Sequence, residues 1–189
     1  MKVLVACEYS GVVRRAFRAR GHDAWSNDLL DAEDSSEHHY KQDCFGVIKI
    51  GWDLIIMHPP CTALAVSGNR WYGEGMPLHG SRMEALLWTE NLWYTACEYS
   101  DKVCMENPVG VLSKLESLPK PQYVQPWQFG HGETKKTGLW LYNLPPLVPT
   151  NIVEGREHRV WKMPPSADRW KERSRTYEGI AEAMATQWG

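Results

Sequence analysis

Short apolar runs that end abruptly constrain this chain more than any other feature. Val3-Leu4-Val5-Ala6-Cys7 runs into Glu8-Tyr9-Ser10-Gly11. Leu54-Ile55-Ile56-Met57 stops at His58-Pro59-Pro60-Cys61. Val103-Cys104-Met105 gives way to Glu106-Asn107-Pro108. Helix-patterned stretches lie between such runs. That alternation predicts an α/β fold, a mostly parallel sheet with helices on its faces. Residues 11–20 read as a helix, with Val12, Val13, Ala16 and Phe17 on one side and Arg14, Arg15 and Arg18 on the other. Gly21 ends it. Residues 23–27 read as a strand ending at Asp28, and 29–42 as a polar loop. Residues 66–80 hold four glycines and a proline and read as a mobile loop or a rigid Ω-loop. Residues 82–99 form a long helix, with Met83, Leu86, Leu87, Leu92, Trp93 and Ala96 at apolar spacing. Residues 119–129 are extended, 138–142 are a strand, 144–170 are irregular and 177–188 are a closing helix.

The chain has 189 residues, enough for one domain with a sizeable core. No apolar run is long enough for a membrane span. Met1-Lys2 charges the N-terminus too early for a secretory signal, so the chain opens on a strand. The five cysteines, 7, 44, 61, 97 and 104, form no Cys-x-x-Cys pair. They predict free thiols in a reducing compartment, and their spacing argues against zinc or any other metal site. Residues 151–175 carry seven Lys/Arg against four Asp/Glu, so the remainder is net acidic. This is a modestly basic segment, not a strong nucleic-acid footprint.

The chemistry gathers at the run ends. Two prolines cannot continue a central strand, so Cys61 stands outside the sheet on a stiff loop. A free cysteine is otherwise often a buried small hydrophobe. His58 and neighbouring cations are candidates to favour its thiolate. Glu106 ends the Val103–Met105 run, either as an acid at a strand exit or as a plain helix-start carboxylate. Ligands of open α/β sheets bind at the carboxyl ends of strands. The Glu8-Tyr9-Ser10-Gly11 turn has one glycine and lacks GxGxxG. Asp28, about twenty residues on, stands where such folds bind ribose hydroxyls. Taken alone, Asp28 is equally a solvated strand-end carboxylate, and Asp43 a surface one.

Taken together, these residues resemble the cytosine carbon-5 DNA methyltransferases, in a short phage or prophage form. Glu8-Tyr9-Ser10-Gly11 stands at the family's Phe-Ala-Gly-x-Gly-Gly cofactor loop, Ser26-Asn27-Asp28 at its ribose site, and Asp43 at its adenine-contacting aspartate. Pro59-Pro60-Cys61 matches its Pro-Pro-Cys loop, and Glu106-Asn107-Pro108 its Glu-Asn-Val. The stretch from Phe129-Gly130 to Lys135-Lys136-Thr137 stands at Phe-Gly-x-x-Gln-x-Arg-x-Arg, and residues 179–184 at the last family helix. The resemblance implies a Rossmann-like fold with helices on both faces that uses S-adenosylmethionine. It implies Cys61 as nucleophile, Glu106 as acid and Lys135 as a base-steadying cation. Glu8, Tyr9, Ser10, Gly11, Asp28, Asp43 and Pro59 would line the cofactor site. The partner would be DNA, with relaxed or partner-supplied specificity, in the cytoplasm of a bacterial or phage-infected cell.

Three departures stand out. Glu133, Lys135 and Thr137 replace Gln, Arg and Arg. Glu8 and Tyr9 put side chains where the family has glycines. About thirty residues, at 144–176, replace a target-recognition domain, with Trp161 and Trp170 among basic residues. Those tryptophans either stack on bases or pin the segment to the core. Two alternatives therefore stay open: modification of a free pyrimidine nucleotide on the same scaffold, or a non-catalytic module that binds cofactor or DNA.

Overall fold

The computed structural model describes residues 1–189. Seven strands form one sheet in the order β3-β2-β1-β4-β5-β7-β6. They are β1 (Lys2–Ala6), β2 (Asp23–Asp28), β3 (His39–Lys41), β4 (Leu54–Met57), β5 (Val103–Pro108), β6 (Gln122–Val124) and β7 (Thr137–Tyr142). β1 to β5 run parallel. β7 runs antiparallel to both of its neighbours. The helices are α1 (Val12–Ala19), α2 (Cys44–Ile48), α3 (Asn69–Tyr72), α4 (His79–Tyr99), α5 (Arg159–Lys162), α6 (Arg169–Ser174) and α7 (Glu178–Gln187). No helix is long and apolar enough to cross a membrane.

The strand period of two sorts the core into two layers. Val3, Val5, Ile56, Cys104 and Leu139 meet Val12, Val13 and Phe17 of α1 and Ile180, Ala181 and Met184 of α7. Leu4, Ala6, Ile55, Met57, Val103 and Met105 meet Val47 and Ile48 of α2 and Leu92, Trp93 and Ala96 of α4. Strands covered on both faces need apolar residues at consecutive positions, which is why they read as unbroken runs.

Three elements differ from expectation. β3 lies inside the expected polar loop. It has no apolar signal because polar contacts hold this edge: the Asn27 amide donates to the carbonyls of Tyr40 and Gln42 at 2.9 and 2.8 Å. The Arg14 guanidinium, 1% exposed, crosses beneath to Ser26 and Asp34. α4 begins at His79, before the expected start, so only part of 66–80 is loop; α3 occupies Asn69–Tyr72. On α4 the buried stripe runs through Arg82, Thr89, Leu92, Trp93 and Ala96. Met83 and Leu87 therefore face outward, because Arg82 takes the inner position in their turn.

Phe17 is fully buried between the sheet and α7. Phe17→Ala is expected to cost about 3–5 kcal/mol. The check is urea unfolding, read as a lower midpoint with an unchanged slope.

Candidate active site

Because β1 to β4 are parallel, their carboxyl ends share one edge of the sheet. Tyr9, Ser10 and Gly11 follow β1, Asp28 closes β2, Asp43 follows β3, and Pro59 and Cys61 follow β4. Glu106 lies within β5 near the same edge. The fold thus collects at one edge the residues that the sequence scatters over a hundred positions.

The β1 turn is built around Glu8. Its carboxylate is buried and accepts the amide protons of Val13 at 2.7 Å and Arg14 at 3.3 Å. Glu8 therefore caps the start of α1, where the helix dipole favours an anion, and faces inward. Gly11 takes a left-handed backbone, φ 66°, to enter the helix. Cys7 turns the chain out of β1 with φ 59°. The Asp28 carboxylate accepts from the Leu30 amide at 3.0 Å through Oδ1. Asp43 caps α2, accepting from the Phe45 amide at 2.9 Å, also through Oδ1. In each carboxylate the second oxygen has no protein donor.

β4 and β5 pair in register at Met57 and Met105. Ile56 and Cys104 face α1 and α7, so His58 and Glu106, two residues further on, turn to that same side. There Nδ1 of His58 lies 3.2 Å from Oε2 of Glu106. Asn107 donates its amide to the Pro59 carbonyl at 2.9 Å, entirely inside the protein. Beyond this bond the two exits are zipped together. Val66 donates to the Val109 carbonyl at 3.0 Å and Val111 to the Leu64 carbonyl at 2.9 Å. Gly110 permits this approach, since a Cβ there would run into the Leu64 carbonyl oxygen. Arg82 reaches down from α4 and donates from Nε to the Ala63 carbonyl at 2.7 Å. The Cys61 loop is thus held from β5 and from α4.

Lys135 comes in from the segment before β7. Its ammonium donates to the Arg175 carbonyl at 3.1 Å. Lys135, Glu106, Thr137, Thr176, Tyr177 and Ile180 line one small pocket. Thr137 donates its hydroxyl to the Lys135 carbonyl, and Lys136 is exposed and lies over the Tyr123 ring. Among the three residues at the family's two-arginine stretch, Lys135 alone brings a cation to the pocket.

The charges perturb one another. Burial pushes the Cys61 thiol up, the Glu106 carboxylate pushes it further, and Lys135 pulls it partly back. The His58 ring is turned to Glu106 rather than to Cys61, so the expected aid from His58 toward a thiolate is not what the structure has. Burial also works against ionised Glu106, but His58 and Lys135 outweigh it and hold the carboxyl below its usual range. Burial lowers Lys135, opposed by Glu106 and Cys61. Cys61 therefore rests as a thiol and Glu106 as a carboxylate.

The segment between β7 and α7 folds back over this edge. Arg175 makes a two-pronged pair with Glu33 at 2.6 and 2.7 Å. Trp170 packs on Tyr9 with ring centroids 5.8 Å apart. Tyr177 and Arg159 both donate to the Glu133 carboxylate, at 2.6 and 2.8 Å. Trp170 makes its contact with Tyr9 while itself 53% exposed, and Trp161 stands 77% exposed. Nothing in the sequence marks Arg82 or Glu33, and Arg175 reads there only as one of the basic residues set among tryptophans that could contact phosphates. Only the Glu-Asn pairing of Asn107 carried a signal, and it pointed to Glu106 rather than to the clamp.

No protein-family model matches the chain, and no curated protein matches it. Solved structures do. One is a prophage-encoded E. coli protein assigned as a DNA modification methyltransferase: 16% identical, TM-score 0.51, aligned over 80% of this chain and 51% of that one. Another is the Entamoeba histolytica methyltransferase EhMeth: 11% identical, TM-score 0.55, over 82% and 56%. The fold is the Rossmann-like α/β one that these methyltransferase structures share. The chain spans about half the length of these structures.

Alkylation tests the mutual charges. Cys61 is expected to react slowly with iodoacetamide at neutral pH and faster as pH climbs past about 9. Glu106→Gln removes a charge that disfavours the thiolate, so the climb is expected to begin at lower pH. Mass spectrometry of the Cys61 peptide across pH reads the outcome.

Proposed function

We propose that this chain transfers a methyl group to carbon 5 of cytosine in DNA through a covalent Cys61 adduct. One observation carries the reading. The buried Asn107–Pro59 hydrogen bond holds the Cys61 loop against the strand that bears Glu106, near enough that the Glu106 charge helps push the Cys61 thiol up. An arrangement of thiol, carboxylate and ammonium at one sheet edge suits addition to an electron-poor ring.

The residues at this edge suit S-adenosylmethionine. The unpaired oxygens of Asp28 and Asp43 can accept from ribose hydroxyls and the adenine amino group. Tyr9, Ser10, Gly11 and Pro59 would wall the site, with Glu8 holding the loop in shape. When bound, the cofactor supplies an electrophilic methyl group.

The protein's own groups do the rest. The Cys61 thiol gives its proton to solvent, and the sulfur bonds to carbon 6 of cytosine as the carbon 5–carbon 6 double bond opens. Ring nitrogen 3 takes a proton from Glu106, so the ring accepts the electron pair and carbon 5 becomes nucleophilic. Lys135 steadies the base carbonyl. After methylation a base removes the carbon 5 proton, and the sulfur–carbon bond breaks to release the thiolate. Glu106, a carboxylate at rest, must carry a proton once the base docks. A base in a duplex would have to leave the stack to reach this edge.

Transfer of radiolabelled methyl from S-adenosylmethionine to DNA, and in parallel to free cytosine nucleotides, tests this. The expected product is 5-methylcytosine in DNA. Cys61→Ser is expected to abolish it, and Glu106→Gln to slow it by about 10²–10⁴-fold. Lys135→Met removes a charged hydrogen bond of about 1.5–3 kcal/mol, a loss of about ten- to a hundredfold. Label in free nucleotides alone would move the substrate class, and full activity in Cys61→Ser would end the covalent mechanism.

A further inference from the structure

The His58–Glu106 pair is not accounted for by nucleophile, acid and cation alone. His58 follows directly on β4, and its amide donates to the Ala6 carbonyl at 3.0 Å, so the β1 ladder extends to it and fixes its backbone. Its side chain is 9% exposed, and that of Glu106 is 14% exposed. One ring nitrogen faces Glu106 Oε2 at 3.2 Å. The other, Nε2, is buried and has no protein partner. Packing alone does not account for a buried ring that turns one nitrogen to Glu106 and leaves the other unpaired.

The pairing meets a difficulty in the proposed chemistry. A lone carboxyl held below its usual range has given up its proton at neutral pH. Imidazole is the side chain that gains and loses a proton there. Held in contact with Glu106, the His58 ring can hand it a proton, which gives the pair access to one transferable proton that the glutamate alone lacks.

We propose that His58 is a positioning residue that stores the proton Glu106 delivers to the ring, an inference that rests on the cytosine methyl-transfer reading. In the step, the His58 Nδ1–H bond breaks as a bond from hydrogen to Glu106 Oε2 forms, leaving a neutral imidazole. That O–H bond then breaks as hydrogen bonds to ring nitrogen 3, and Glu106 is again a carboxylate. Other titratable groups face the pair. Lys135 and Tyr177 line the pocket with Glu106. Cys61 and Cys104 both feel the Glu106 charge. Arg159 and Arg173 act on Lys135. None of these makes the direct contact with Glu106 that His58 does.

The test is the pH profile of methyl transfer in wild type and His58→Gln, which keeps a hydrogen-bond donor but cannot store a proton. At pH about 7 the variant is expected to lose about tenfold in kcat with KM little changed, and at pH about 5.5 to stay within about threefold. A loss equal at every pH makes His58 a packing residue and overturns the inference, as does an unshifted profile. ¹³C-carboxyl NMR of the free protein reads the contact without activity. The Glu106 titration is expected to rise in His58→Phe, and no movement overturns the pairing. A wild type that transfers no methyl overturns the reading and this inference together. A Cys61-dependent wild type whose profile does not move in His58→Gln overturns this inference alone.

Discussion

The site depends on how a parallel ladder ends. β4 and β5 pair up to Met57 and Met105, and then Pro59 and Pro60 supply no amide with which to go on. The Pro59 carbonyl is left in the interior without a ladder partner. Asn107, one residue past Glu106, brings its side-chain amide to that carbonyl. A hydrogen bond of this kind contributes only about 1 kcal/mol net, but a buried carbonyl without one costs more. The same bond that satisfies the backbone brings the Cys61 loop to the strand that carries Glu106. Stability and site geometry are therefore one requirement.

Electrostatics follows from that closeness. Glu106 and Lys135 line one small pocket and both charges reach Cys61, so none of the three keeps its solution behaviour. Glu106 keeps its charge because His58 and Lys135 oppose the cost of burial. That charge in turn disfavours a thiolate at Cys61. At rest Cys61 is therefore a thiol and Glu106 a carboxylate.

The segment between β7 and α7 has a second kind of order. It carries little apolar sequence and only two short helices, α5 and α6. Its position comes from polar and aromatic contacts to distant parts of the chain: Arg175 to Glu33, Arg159 and Tyr177 to Glu133, Trp170 to Tyr9. It sits over the β1 turn and reaches Lys135 through the Arg175 carbonyl. Residues far apart in sequence thus form one wall of the pocket.

By itself the sequence determined the layered α/β plan, the strands at Val3, Leu54 and Val103, the helices α1 and α7, and the exit bearing Cys61. These are local signals: apolar runs make strands, spacing of three and four makes helices, and prolines end them. Glu106-Asn107-Pro108 read as an exit too, but β5 runs on through them because β7 pairs with all three. β3 was not legible, because hydrogen bonds from Asn27 hold it rather than apolar burial. The outward turn of Met83 and Leu87 was hidden too, because a buried Arg82 took their place. His58 read as a neighbour of Cys61, since it is three residues away in the chain. Only the register of β4 against β5 turned it instead to Glu106. Side-chain pairing across strands is set by which strands lie together and in what alignment, and that is decided when the whole sheet packs.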